Sequence, residues 1–147
     1  MGEKGRWSHL LRSVLRSGYI PSRRTILADS SRLGRWGQNR CERFLKSKGM
    51  RLLVRNFSCN SGEIDLIMVD VDGSLVFVEV KTRAGEDFAD IEAAFTPAKK
   101  IRLGRAVRFF LATHSVGQRP FRIDVVGIVL GLKGPPRIRH YTDAFRA

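Results

Sequence analysis

Gly62-Glu63-Ile64-Asp65-Leu66-Ile67-Met68-Val69-Asp70, followed after a short gap by Leu75-Val76-Phe77-Val78-Glu79-Val80-Lys81-Thr82-Arg83, is the most informative stretch of this chain. Both runs are apolar and rich in β-branched residues, which predicts two strands of one sheet. Asp72-Gly73 between them is a strong hairpin signal. In the second run the pleat sends Val76, Val78 and Val80 to one face and Phe77, Glu79 and Lys81 to the other. A carboxylate and an ammonium on a buried strand are costly to desolvate unless they pair with each other, with a metal or with a substrate. The hairpin would bring Asp65 beside Glu79. Two carboxylates and a lysine at one spot suit a divalent ion and a group that orients or deprotonates water.

The plainer reading of the same residues is a structural salt bridge between Glu79 and Lys81 or Arg83. Glu63 shares a face with Asp65, but its place just after Gly62 at a strand entrance predicts exposure. Arg122 and Asp124 read as a structural pair near the sheet edge. His9, His114 and His140 show no metal-ligand spacing, and the chain carries no Gly-rich phosphate loop and no Ser/His/Asp nucleophile order.

The 147 residues allow one domain with a real core. The chain holds 27 Lys and Arg against 14 Asp and Glu, a formal charge of +13. Such an excess favours a polyanionic partner through Coulomb attraction and counterion release. Residues 1–35 hold eight of the basic and two of the acidic side chains, so the rest of the chain is basic in its own right. Cys41 and Cys59 have neither metal-ligand spacing nor a framework of bridges, which suits reduced thiols and a cytoplasmic location. No apolar run approaches the roughly 20 residues that span a bilayer.

Residues 1–33 read as a basic, flexible N-terminal extension, and residues 34–147 as the folded domain. A first helix is expected over 34–48 with Gly49 past its end. Leu52–Val54 follows as a first strand, and Asn56–Gly62 as a loop. After the hairpin, 84–94 is a loop with a short helix late in it. Thr96-Pro97 marks a helix start, with Thr96 as N-cap and Pro97 at the first helical position. Leu103, Val107, Phe110 and Leu111 form the apolar stripe of that helix. Lys99, Lys100, Arg102, Arg105 and Arg108 lie largely off the stripe, and no acid occurs between Pro97 and Gly117. Arg122–Leu130 reads as a strand buried on both faces, and Gly131–Pro136 as a loop, with Tyr141 and Phe145 pinning the C-terminus. The pattern is α-β-β-β-α-β: an α/β class with a mixed sheet of about four strands flanked by helices.

With Gly62-Glu63-Ile64-Asp65-Leu66-Ile67, Phe77-Val78-Glu79-Val80-Lys81-Thr82-Arg83, Asn56, Lys99, Arg122-Ile123-Asp124-Val125-Val126 and Asp143-Ala144-Phe145 in this order, the chain resembles the YraN family of uncharacterised bacterial proteins. That family is grouped with the restriction-endonuclease-like superfamily, whose motif is written PD-(D/E)-x-K. The resemblance implies an endonuclease, a phosphodiester hydrolase, in which Asp65, Glu79 and Lys81 are catalytic. It implies a metal held by Asp65, Glu79 and the Val80 carbonyl, and an all-oxygen site of that kind suits Mg²⁺ or Mn²⁺. The implied partner is nucleic acid, DNA ahead of RNA, gripped by Lys99, Lys100, Arg102 and Arg105. A homodimer would let two single-metal sites cut both strands of a duplex. The family usually carries a Gly-Glu pair in the first helix, and this chain has Gly37-Gln38. Gln38 and Glu42 are then the supporting candidates behind the metal, although Glu42 can equally pair with Lys46 at i,i+4. The competing class is a non-catalytic nucleic-acid-binding or scaffold protein on the same fold, which the neutral Gln38 favours.

Overall fold

The computed structural model describes residues 21–147, so any structure within residues 1–20 lies outside it. The elements run α1 (Arg23–Leu27), α2 (Ser30–Ser47), β1 (Arg51–Cys59), β2 (Gly62–Val69), β3 (Leu75–Ala84), α3 (Ala89–Ala93), α4 (Pro97–Thr113), β4 (Phe121–Leu130) and β5 (Arg137–Phe145). Five strands form one mixed sheet in the order β1-β2-β3-β4-β5. Only β3 and β4 are parallel, joined by the crossover that carries α3 and α4; the other neighbours are antiparallel.

Strand alternation sorts the core into two layers. Ile67, Val69, Leu75, Phe77 and Ile123 pack on Leu103, Val107 and Phe110 of α4. Leu66, Met68, Val76, Val78, Val126 and Ile128 pack on Cys41 and Leu45 of α2. One helix therefore covers each face, which is what a sheet with apolar residues on both sides demands. Thr96 caps α4 as its sequence predicts, its side chain accepting from the Lys99 amide at 3.3 Å. Gly49, at φ 91°, ends α2 in the left-handed conformation.

Three expectations need correction. The folded domain begins before residue 34: α2 starts at Ser30, capped by Asp29, and Ile26 and Leu33 are buried against Leu130. The expected loop at 56–62 is mostly strand, since β1 continues to Cys59. Asn56 sits inside β1 at φ 51°, a conformation Asn tolerates better than most residues. A fifth strand, β5, covers what would otherwise be the open edge at β4.

Candidate active site

The β2–β3 hairpin is paired only from Val69↔Leu75 to Leu66↔Val78. One step further along both strands stand Asp65 and Glu79. From there β2 keeps its partner β1, as far as Gly62, and β3 keeps its partner β4, as far as Ala84. The sheet is therefore notched between its second and third strands, and Asp65 and Glu79 stand where the notch opens.

Side chains take over the hydrogen bonds that the ladder gives up. The Val80 N–H donates to Asp65 Oδ2 at 2.7 Å, and Gln38 Nε2 donates to the Asp65 carbonyl at 3.0 Å and to Asn56 Oδ1 at 2.6 Å. Gln38 can reach across because α2 lies close on β3. A Cβ on Gly37 would stand 1.8 Å from Thr82 Oγ1, so only glycine allows that approach. Gln38 thus braces the Asp65 main chain, and the Asp65 carboxylate keeps the Val80 N–H as its one hydrogen-bond donor.

On the α4 side, Glu79 is 8 % exposed and its Oε1 meets Lys99 Nζ at 2.6 Å and Lys81 Nζ at 3.4 Å. Burial and the neighbouring Glu79 charge push the Asp65 carboxyl up to about 6, against the Val80 N–H, Lys81 and Lys99, which favour its ionised form. Burial, with help from Lys99, holds Lys81 below the ordinary lysine range, while Glu79 acts the other way. Asp65, Glu79, Val80, Lys81, Lys99 and Arg102 line one open cleft of about 470 Å³.

The remaining predicted residues are placed as follows. Glu42 is bound elsewhere: Arg55 holds it through two bonds of 2.6 and 2.7 Å, and Lys46 Nζ lies 2.6 Å from it. The Arg55 hydrogen bond leads in lowering its pKa to about 2. It is thus an ion-paired brace between α2 and β1, away from Asp65 and Glu79. Arg102 and Arg105 are exposed on α4, while Lys100 leans over the Phe145 ring, 5.8 Å from its centroid. Lys99, expected as a phosphate ligand, is engaged with Glu79. Arg35 and Arg83, which sequence reasoning passed over, flank the notch on its α2 side. They lie in separate elements with no shared spacing to reveal them.

Whether a divalent ion fits can be judged from the donors. Among the described residues no cluster of three or more His, Cys, Asp or Glu occurs. The carboxylates of Asp65 and Glu79, both hard oxygen donors, line one cleft together with Val80, and one carboxyl is destabilised by its anionic neighbour. Mg²⁺ is often held by one or two carboxylates with substrate phosphate completing the set, so the residues fit.

Comparison with known proteins identifies the family of this chain. A UPF0102 protein of Roseiflexus castenholzii is 44 % identical over 104 residues, covering 70 % of this chain and 83 % of that protein. One from Symbiobacterium thermophilum is 42 % identical over 118 residues, covering 80 % and 99 %. Another from Nitrosococcus oceani is 45 % identical over 104 residues, covering 70 % and 82 %. Among solved structures, Pyrococcus furiosus SfsA in complex with Ca²⁺ matches 73 % of this chain and 63 % of that one, at 16 % identity and a TM-score of 0.37. That likeness is too distant to add to the fold described above. No helix among the described residues is long and apolar enough to cross a membrane. The model of the family described as uncharacterised protein family UPF0102 matches residues 37–128. The chain belongs to that family, the one its motifs resemble under the name YraN.

Proposed function

We propose that this protein binds nucleic acid and hydrolyses its phosphodiester bonds with the help of a divalent metal ion. The observation that carries this reading is Asp65 and Glu79 side by side at the mouth of the notch, with Lys81 and Lys99 on one oxygen of Glu79. Asp65, Glu79 and the Val80 carbonyl would hold Mg²⁺ or Mn²⁺. When bound, such an ion lowers the pKa of water and offsets charge on the phosphoryl oxygens.

The chain's own residues do the rest. Lys81 stands at the carboxylate pair, where its amine can take a proton from water or its ammonium can offset charge on a phosphoryl oxygen. Water oxygen bonds to phosphorus, the P–O bond to the departing nucleotide breaks, and the leaving oxygen takes a proton from solvent. Gln38 holds the Asp65 main chain still, which fixes the carboxylate relative to Glu79. Arg102 and Arg105 on α4 attract the backbone without reading bases, because phosphate contacts position rather than specify.

A second reading has one specific observation behind it. Lys99 already neutralises Glu79 at 2.6 Å, and a carboxylate so paired can be stable without an ion. The protein would then bind nucleic acid without cutting it. Incubation of labelled single-stranded, duplex and branched DNA and RNA with Mg²⁺, Mn²⁺ or EDTA, beside Asp65→Ala, separates the two. The nuclease reading expects metal-dependent products that vanish in the variant and in EDTA. Binding without products under either metal would transfer the conclusion to the binder.

A further inference from the structure

Two clefts, not one, open onto Asp65, Val80 and Lys81. The first lies on the α4 side, with Lys99 and Arg102 on its wall. The second, of about 400 Å³, lies on the α2 side and is lined by Arg35, Gln38, Asn56, Thr82 and Arg83. Thr82 faces α2 through Gly37, whereas Glu79 faces α4 through Lys99, so the clefts belong to opposite faces of the sheet. They meet at the notch because the ladder between β2 and β3 has stopped there. The shared wall is Asp65, Val80 and Lys81, two residues of the proposed metal site and the lysine beside it; Glu79 lines the first cleft.

We propose that the two clefts form one continuous track for a single strand of nucleic acid, with Arg35 and Arg83 holding a phosphate on the α2 side and Arg102 one on the α4 side. This rests on the nuclease-like reading of the notch and names its substrate class. A track that passes from one face of a sheet to the other over a strand end turns sharply. Duplex DNA has a persistence length of about 50 nm and resists such a turn, while a single strand follows it freely. The scissile phosphate then lies over Asp65 and Glu79 with one anchored neighbour on each side.

The charges support the path. Among the described residues Lys46, Arg55, Arg122 and Arg139 each have a carboxylate within 4.0 Å. Arg35, Arg83 and Arg102 have none. Arg35 and Arg83 are both exposed, and Arg83 makes one bond, to the Thr82 carbonyl at 3.1 Å. On the α2 side of the notch Asp65 is the sole acid in the lining. On the α4 side Glu63 and Glu79 line the cleft as well, with Glu79 taken up by Lys81 and Lys99, which leaves Arg102 as the cation without a carboxylate there. An unpaired guanidinium on each side of the notch is what a phosphate chain requires.

The test is binding of the full chain in EDTA, where cleavage is silent, to a fluorescein-labelled oligothymidylate and to a blunt duplex of equal length. Fluorescence anisotropy is followed across a salt series. Arg35→Glu with Arg83→Glu should weaken strand binding about tenfold or more and flatten the log–log salt slope by about 1.4, at about 0.7 per lost contact. Arg102→Glu should act alike, by about half that slope. Arg119→Glu, two residues before Phe121 at the opposite end of the β3–β4 pair, is the control and should change affinity less than twofold. Arg35→Gln with Arg83→Gln supplies a milder pair should charge reversal disturb the fold. Paired variants that match the Arg119 control, or a wild type that binds the duplex more tightly than the strand, would overturn the track. A failure of the nuclease reading is seen separately, as a retained strand-binding pattern with no products under Mg²⁺ or Mn²⁺.

Discussion

Asp65 and Asp124 are both aspartates on central strands of one sheet, and their surroundings treat them in opposite ways. Asp124 is fully buried, and its carboxylate accepts from Arg122 Nε at 3.0 and 3.2 Å, from His140 Nε2 at 2.7 Å and from the Asp143 N–H at 2.9 Å. Arg122 also reaches Asp70 at 2.8 Å, and Lys48 Nζ lies 3.1 Å from His140 Nδ1. Burial alone would raise the Asp124 pKa, but His140, the Asp143 N–H and Arg122 outweigh it and hold it below the usual carboxylate range. Asp65 has one amide donor, a carboxylate for a neighbour, and a pKa pushed up to about 6. A buried charge with every lone pair engaged is architecture. One left short of partners next to an open cleft is available for chemistry.

The widest way to probe that contrast is to remove each carboxylate in turn. Asp65→Ala should cut turnover by about 10³-fold while leaving the fold intact, and Lys81→Ala by about 10². Initial rates on a labelled strand, with circular dichroism as the folding check, measure both. Asp124→Ala should do the reverse. It strands Arg122 and His140 without their anion and should cost about 3 kcal/mol of stability in urea denaturation. A variant Asp124→Ala that folds normally yet fails to cut would break the distinction.

Acid titration sharpens it. The folded Asp65 carboxyl binds its proton more tightly than the unfolded one, whose pKa is near 3.8. The folded state then carries the extra proton between about pH 4 and 6, so stability falls as pH rises through that window. Asp65→Asn should therefore be more stable than wild type at pH 7, on the order of 2 kcal/mol, and equal to it below pH 4. Asp124 has the opposite sign. Its folded pKa is depressed, so its contribution is complete above pH 4 and is lost as pH falls below that. Stability curves for the two carboxylate-to-amide variants, in EDTA, should diverge from wild type in those separate ranges. The smallest effect belongs to Lys48→Ala, which gives up an exposed bond to His140 and a 4.5 Å contact over Phe44, worth about 0.5 kcal/mol.

How far the sequence could be read follows from the same physics. The β2–β3 hairpin and β4 are legible because buried strands must be apolar, and α4 because Thr96-Pro97 starts it. The approach of Asp65 to Glu79 could be anticipated from the turn at Asp72-Gly73 and the pleat. The edge strands carry a weaker signal. Between Val54 and Cys59, β1 alternates exposed Arg55 and Ser58 with half-buried Phe57, and Asn56 departs from extended geometry. Strand β5 carries Arg137, Arg139 and Asp143 on its exposed positions, and Asp143 has φ 50° beside a register shift. Strands that face water on one side and break register carry little of the usual pattern. The short ladder that makes the notch leaves no trace in the sequence, since Gly62–Asp65 and Glu79–Ala84 each look like ordinary strand. Nor could sequence decide between Glu42 as a brace and as a metal support. Its partner Arg55 arrives from β1, and only the fold brings them together.

The central claim is that Asp65 and Glu79 act together on one divalent ion. Calorimetric titration of Mn²⁺ into the purified protein, beside Asp65→Ala and Glu79→Ala, tests it most directly, with Glu42→Gln as a carboxylate control outside the notch. The expected result is one ion per chain for wild type and Glu42→Gln, and none for the two notch variants. No binding to wild type, or binding that survives in both notch variants, would contradict the account.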